Sequence, residues 1–355
     1  MNVARQKARE LLRKQDFFVR LLADLRKAGL VGERRNALAV YIVAVSRLRP
    51  RPLSLLVKGD SSAGKNFLVR KVLRFFPKDC QHEISSLSDR ALNYLDGEEL
   101  RHSVIYLQEH SDKSRAAHPG RLLLSEGKLI HWVVTPGHGG MGTQRQVTAG
   151  PVACISTTTA DRLAIDDESR HISIWIDESR KQTRQIAEDY DSEEVRLDVE
   201  SLRVWKQVQR LLEERANYRI EKPEWFKLLV DALPLQDVRV RRYFPAFVEA
   251  CKTVSLIRSF RKHLPENRQL RVDFVDFATT ALILNRVFAE TLEKCEGSEA
   301  ETRDHVQRIS DHKDAARSRG WAALIGRRRE RHSRSTLKAA KMRNCGNTFI
   351  LGGCH

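Results

Sequence analysis

Between an apolar run and a helical pattern stands Gly59-Asp60-Ser61-Ser62-Ala63-Gly64-Lys65-Asn66, the string that most restricts what this chain can fold into. It fits G-x-x-x-x-G-K, with Asn at the last position where Ser or Thr is usual. Glycines let the backbone turn until successive N–H groups point inward at phosphate oxygens. A helix starting near Gly64 adds the positive end of its dipole, and Lys65 supplies a point charge for the β- and γ-phosphates. Asn66 has no hydroxyl for Mg²⁺ and can offer only an amide oxygen, directly or through water. The loop therefore makes Gly59, Asp60, Ser61, Ser62, Ala63, Gly64, Lys65 and Asn66 the candidate ATP-binding residues, with Lys65 also catalytic. The context agrees: Pro52 introduces Leu53–Val57, short enough for a buried strand, and a helical pattern runs from Gly64 to about Phe76.

A second apolar strand, Ser103–Leu107, runs into Gln108-Glu109. In P-loop NTPases such a strand usually ends in an Asp on Mg²⁺, often followed by a Glu that orients water. Here Gln108 takes the Asp place. Glu109 becomes the candidate general base and, with Asn66, a tentative Mg²⁺ ligand; a solvated strand end is the plain alternative. Val152–Ser156 leads to Thr157-Thr158-Thr159, where Thr158 would sense the γ-phosphate, although threonines favour strands on their own account. Arg170, on a loop before another apolar strand, suits an arginine finger. Arg242, in the Arg239–Arg242 run that opens a helix, would reach the γ-phosphate; a surface cluster explains either arginine equally well. Gly137–Gly142 matches G-x-G-x-x-G by letter but is followed by a strand pattern, so no dinucleotide site is read there. The twelve histidines show no ligand spacing. The six cysteines form no C-x-x-C pair, and read as idle thiols of a reducing, cytoplasmic compartment.

Along the chain of 355 residues, strands alternate with helices first and an all-helical part follows. Residues 4–29 carry helical periodicity ending at Gly29, and Ala37–Ser46 continue it. Ser85–Leu95 reads as a short helix, Arg121–Ser125 as a helix end, and Leu129–Thr135 with Gln144–Thr148 as a hairpin. From about Ser192 to Cys295 the pattern is helical throughout. The fold class is α/β. A three-layer P-loop NTPase core with a parallel sheet covers 38–190, after an N-terminal helical segment at 1–37. A helical lid at 191–296 and a basic tail at 297–355 follow. No apolar run approaches the ~20 residues of a membrane span, and the N-terminus lacks the marks of a secretory signal. Net charge is +17 with a pI of 9.9, roughly half of the excess lying beyond residue 300. Such an excess favours a polyanionic partner, DNA above all.

These residues together resemble the AAA+-type P-loop ATPases of phages and mobile elements, which are often associated with a primase or helicase. Gly29–Glu33, Tyr41, Ser46-Arg47 and Pro52–Ser54 resemble that family's lead-in, and Ser61–Lys65 its phosphate loop. Ser86–Leu92, Leu123–Gly127, Gly150-Pro151, Thr157–Thr159, Glu168–Arg170 and Asp177–Thr183 are similar to later segments, and Arg239–Arg242 to the start of its lid helix. The resemblance covers roughly 25–290. It implies a hexameric ATP-driven motor in replication, with Lys65 and Glu109 in one subunit and Arg170 reaching in from its neighbour. It also implies that the 129–148 hairpin touches DNA; as the sequence shows no zinc-binding cysteine cluster and no long acidic catalytic domain, a primase served by this chain is expected to be a separate protein.

The tail departs most from that family. Trp321–Gly326 and Ser333–Ala340 fit two helices of a degenerate helix-turn-helix; a disordered basic tail fits as well. Two rival functions stand beside the motor: a nucleotide-sensing DNA-binding protein without hydrolysis, which Asn66 and Gln108 favour, and a P-loop kinase.

Overall fold

The computed structural model describes residues 3–84, 100–109, 128–137, 140–160, 163, 168–190, 197–233, 237–263 and 267–294. They group into a main unit, Met1–Glu224 with Leu235–Cys295, and a second that includes Trp225–Pro234. In the second unit the rings of Trp225 and Phe226 lie 4.8 Å apart on a 3-10 turn.

The centre of the main unit is a five-stranded parallel sheet: β1 (Ser54–Lys58), β2 (Gln81–Ile84), β3 (Ser103–Leu107), β6 (Val152–Thr158) and β7 (Ile172–Trp175), in the order β2-β3-β6-β1-β7. β4 (Lys128–Gly137) and β5 (Gly140–Ala149) form a separate antiparallel hairpin. β1 is buried at all five positions and β6 at all seven, as strands covered on both faces must be. β6 lies between β3 and β1, with Leu107 opposite Ser156 and Val57 opposite Thr157. The carboxyl ends of β1, β6 and β3 therefore meet side by side. Open parallel sheets bind ligands at such ends.

Of helices α1 (Val3–Arg13), α2 (Phe17–Lys27), α3 (Arg34–Ser46) and α4 (Lys65–Leu73), α3 packs on β1 and β6 and α4 on β6. α3 is buried on every side from Ala37 to Ser46, the mark of a central helix. Tyr41 on α3 meets Phe17, Phe76 and Trp205 in one aromatic cluster. Gln209 donates to the Tyr41 hydroxyl at 2.9 Å, and Trp205 Nε1 to Asp24 at 2.9 Å. Further on come α5 (Arg180–Tyr190), α6 (Val199–Glu213), α7 (Val240–Ile257) and α8 (Phe274–Lys294). α6 packs on α1, α7 on α3, and α8 on β7.

Four differences from the sequence pattern stand out. The helical stretch at 4–29 is two helices, broken at the polar Lys14-Gln15-Asp16; Gly29 does close the second, with φ of 89° and Leu30 N–H on the Leu25 carbonyl. β2 is a strand that periodicity missed, because this polar edge strand buries none of its residues fully. The part beyond 192 is not helical throughout: β8 (Arg219–Glu221) pairs in parallel with β9 (Gln269–Arg271). Each buries a single residue, Ile220 or Leu270, too little to print a period of two. The hairpin is longer than read, at ten residues per strand. The helices expected at Ser85–Leu95 and near Arg121–Ser125, and the tail from 297 on, lie outside the described residues. Among the described residues no helix is long and apolar enough to cross a membrane.

Candidate functional site

The loop leaves β1 and enters α4 as its sequence requires. Gly59 has φ of 152° and Gly64 φ of 93°, both in the region that favours glycine. A Cβ on Gly59 would also stand 2.8 Å from Glu178 Oε1. Gly64 sits at the start of α4 with no side-chain cap, so the first amides of the helix keep their N–H groups for an anion. Lys65 is buried, and its ammonium donates to the carbonyls of Gly59 at 2.7 Å and Asp60 at 2.5 Å. Ser62 also takes a left-handed turn, at φ of 69°. The Asp60 N–H is already committed, to Glu178 Oε1 at 2.6 Å.

Asn66 ties three elements together. Its Oδ1 accepts the Tyr106 hydroxyl from β3 at 2.7 Å and the Thr157 hydroxyl from β6 at 3.0 Å. Thr157 Oγ1 in turn accepts the Glu109 N–H at 3.3 Å. This orientation gives each hydroxyl proton an acceptor. Burial pushes the Tyr106 phenol up to about 12, against the opposing effect of its hydrogen bond with Thr157, so Tyr106 stays a donor at neutral pH. Thr157 and Tyr106 share a sheet face because Tyr106 stands opposite Ile155, two residues before Thr157. Thr158 faces the other way; its hydroxyl accepts the Ala160 N–H at 3.1 Å and closes the turn after β6. The residue aimed at Asn66 is thus Thr157, one place before the threonine that the sequence suggested.

Glu109 is exposed at the end of β3, with φ of 53°. Gln108 turns away: its amide donates to Glu83 Oε1 at 2.5 Å, and Arg70 donates to the same oxygen at 2.7 Å. These positions bear on a metal beside the phosphates. Both lone pairs of the Asn66 oxygen are engaged, and Gln108 is neutral and held by Glu83, so neither fits as a direct ligand. Among the described residues, Glu109 at the end of β3 and Glu178 against Asp60 are the carboxylates beside the loop. Among the described residues no cluster of three or more His, Cys, Asp or Glu gathers to hold a metal.

Behind the loop, Lys58 ends β1 as a fully buried lysine, ion-paired with the buried Glu168 and 5.3 Å from the Trp175 ring centroid. Glu168 also accepts the Leu163 N–H at 3.3 Å. Arg170 follows in the same turn and is half-buried. Arg242, near the start of α7, donates to the Ser169 hydroxyl. The structure thus brings Arg242 to the turn that carries Arg170, and its hydrogen bond goes to Ser169 and not to the phosphate loop.

Beside the loop opens a cleft of about 1270 Å³, lined among others by Leu30, Glu33, Trp175, Glu178, Gln182 and Arg286. It does not include the phosphate loop, but Glu178 belongs to its wall and holds Asp60, so the two adjoin. Glu33 locks the wall: Oε1 accepts the Asp177 N–H at 2.7 Å and Oε2 the Asn36 amide at 2.5 Å. Burial raises its carboxyl above the usual range. Gln182 donates to the Val31 carbonyl at 2.8 Å. The structure places the sequence-predicted Lys65 and Asn66 at the start of α4 and Glu109 at the end of β3. Sequence reading gave no role to Tyr106 or Lys58, each a polar residue inside an apolar run, and it noted Glu168 and Glu178 only as parts of polar segments similar to the family.

The model of the MTBMA_p00010 P-loop domain matches residues 2–215, more than half of the chain. No curated protein matches. The matched span covers β1, the phosphate loop, α4 and the whole five-stranded sheet. The chain belongs to the MTBMA_p00010 P-loop domain family.

Proposed function

We propose that this protein binds ATP at the Gly59–Asn66 loop and hydrolyses it, using the turnover to act on DNA. The observation that carries this reading is the meeting of Lys65, Asn66, Thr157 and Glu109 at three adjacent strand ends. Loop amides and the Lys65 ammonium would hold the phosphates. Glu109 would take a proton from the attacking water, its main chain fixed by Thr157. Mg²⁺ would neutralise charge on the phosphates, and Glu109 is the residue that would hold it. The nucleoside would lie in the adjoining cleft, beside Trp175. Replication of a phage or mobile element, a hexamer with Arg170 acting on a neighbour's nucleotide, and a separate primase partner belong to this reading through the family resemblance. The basic excess of +17 supports DNA as the substrate of the motor.

A second reading keeps nucleotide binding without hydrolysis. It is favoured by the saturated Asn66 oxygen and by Gln108 where a carboxylate is usual. Phosphate release measured with ATP alone, with single-stranded DNA and with duplex DNA separates the two. DNA-stimulated release is expected; bound nucleotide with release at background in all three would leave the sensor.

A further inference from the structure

Three arginines of α1, Arg5, Arg9 and Arg13, stand four residues apart and so form one stripe along the helix. Arg5 is tied to Glu214 at 2.5 Å. Arg9 and Arg13 are exposed and meet no carboxylate among the described residues. α1 packs along α6 and against the 3-10 turn Arg258–Arg261. At that junction Arg215 lies flat on Phe260, 3.4 Å from the ring centroid, with Tyr218 on another side at 5.8 Å. Its guanidinium also donates to Ser259 Oγ at 2.9 Å. Burial lowers the pKa of Arg215, and the charges of Arg9 and Arg13 lower it further, so the three guanidinium groups feel one another. Arg261, on the same 3-10 turn as Phe260, is half-buried and faces Arg258, Asp273 and Asp276 instead. The nearby acids are engaged: Glu214 by Arg5, Glu10 by Gln6, and Asp273 and Asp276 by Arg258 and Lys262.

We infer that Arg9, Arg13 and Arg215 form a binding surface for the phosphate backbone of a nucleic acid, away from the ATP loop. This rests on the DNA-acting reading above and adds where the strand lies. Guanidinium forks match phosphate oxygens two at a time. Arg9 and Arg13 sit about 6 Å apart along the helix axis and can take successive phosphates. One face of Phe260 is covered by Arg215, but the half-buried Phe260 and Tyr218 rings and the Arg215 plane are groups of the kind on which unpaired bases stack. An acidic peptide would need no such rings, and a membrane would ask for apolar side chains beside the cations.

The test is fluorescence anisotropy of the full chain with a labelled 20-mer, single-stranded in one arm and duplex in the other, across a salt series. Arg9→Glu/Arg13→Glu should weaken binding about tenfold or more at low salt and flatten the log–log salt slope by about 1.4 for the single strand or 1.8 for the duplex. Arg9→Lys/Arg13→Lys should keep the slope, and Arg9→Gln/Arg13→Gln serves if the glutamates unfold α1. ATP affinity should stay unchanged in all of them. Wild-type affinity and slope in the folded double variant would overturn the surface while leaving the ATPase reading intact. If instead the variant loses DNA but wild-type turnover never responds to DNA, the surface stands and the motor falls.

Discussion

The Thr157 hydroxyl donates to the Asn66 amide oxygen at 3.0 Å while accepting the Glu109 N–H, so one side chain joins the phosphate loop to the expected base. Tyr106 occupies the same oxygen from the other side. The junction sits where other P-loops place a hydroxyl on Mg²⁺.

Breaking this junction should loosen the fold as well as the site. Asn66→Ala leaves the Tyr106 hydroxyl without its acceptor, and a stranded buried hydroxyl costs about 1–3 kcal/mol. Urea unfolding of Asn66→Ala, Tyr106→Phe and the double variant should show coupling of about 0.5–1.5 kcal/mol. Strictly additive losses would mean the two groups do not interact.

Glu109 should separate binding from chemistry. With Glu109→Gln, phosphate release is expected to fall about 100-fold or more, the usual contribution of a general base. ATP affinity should change only by the weaker hold on Mg²⁺. Unaltered turnover would remove Glu109 from the mechanism.

The Lys58–Glu168 pair is buried at both ends. Glu168→Ala would strand the lysine ammonium beneath the loop, at a cost of about 3–5 kcal/mol. Lys58→Met/Glu168→Leu should recover most of that, because exchanging a buried pair for apolar residues is close to neutral. Equal instability of single and double variants would contradict the pairing.

Burial raises the folded-state carboxyl of Glu33 above the unfolded value of about 4.3. The sign follows: the folded state holds its proton more tightly, so this contribution is present below about pH 4.3 and fades as pH rises through the folded value. Relative to Glu33→Gln, the wild type should therefore lose stability as pH rises above about 4.3 in denaturant titrations. A difference that stays flat, or grows in the wild type's favour, would count against a buried charge there.

Much of this architecture is readable from residues alone, and the exceptions share a cause. β1, β3 and β6 show as apolar runs because both faces are covered, and the loop shows because its glycines need φ values other residues avoid. β2, β8 and β9 bury at most one residue each and leave no pattern. Thr158 could not be told from Thr157 without knowing which strand face α4 covers. Gln108 sits at the expected place in sequence, yet Glu83 on a strand that left no signal holds it away from the site.

The claim beneath all of this is that loop amides and one ammonium grip a triphosphate. Equilibrium binding of a fluorescent ATP analogue to the wild type and to folded Lys65→Ala tests it most directly. Saturable binding that unlabelled ATP displaces, weakened at least tenfold in Lys65→Ala, is the result this account requires. No saturable binding to the folded wild type, or equal affinity in both proteins, would contradict it.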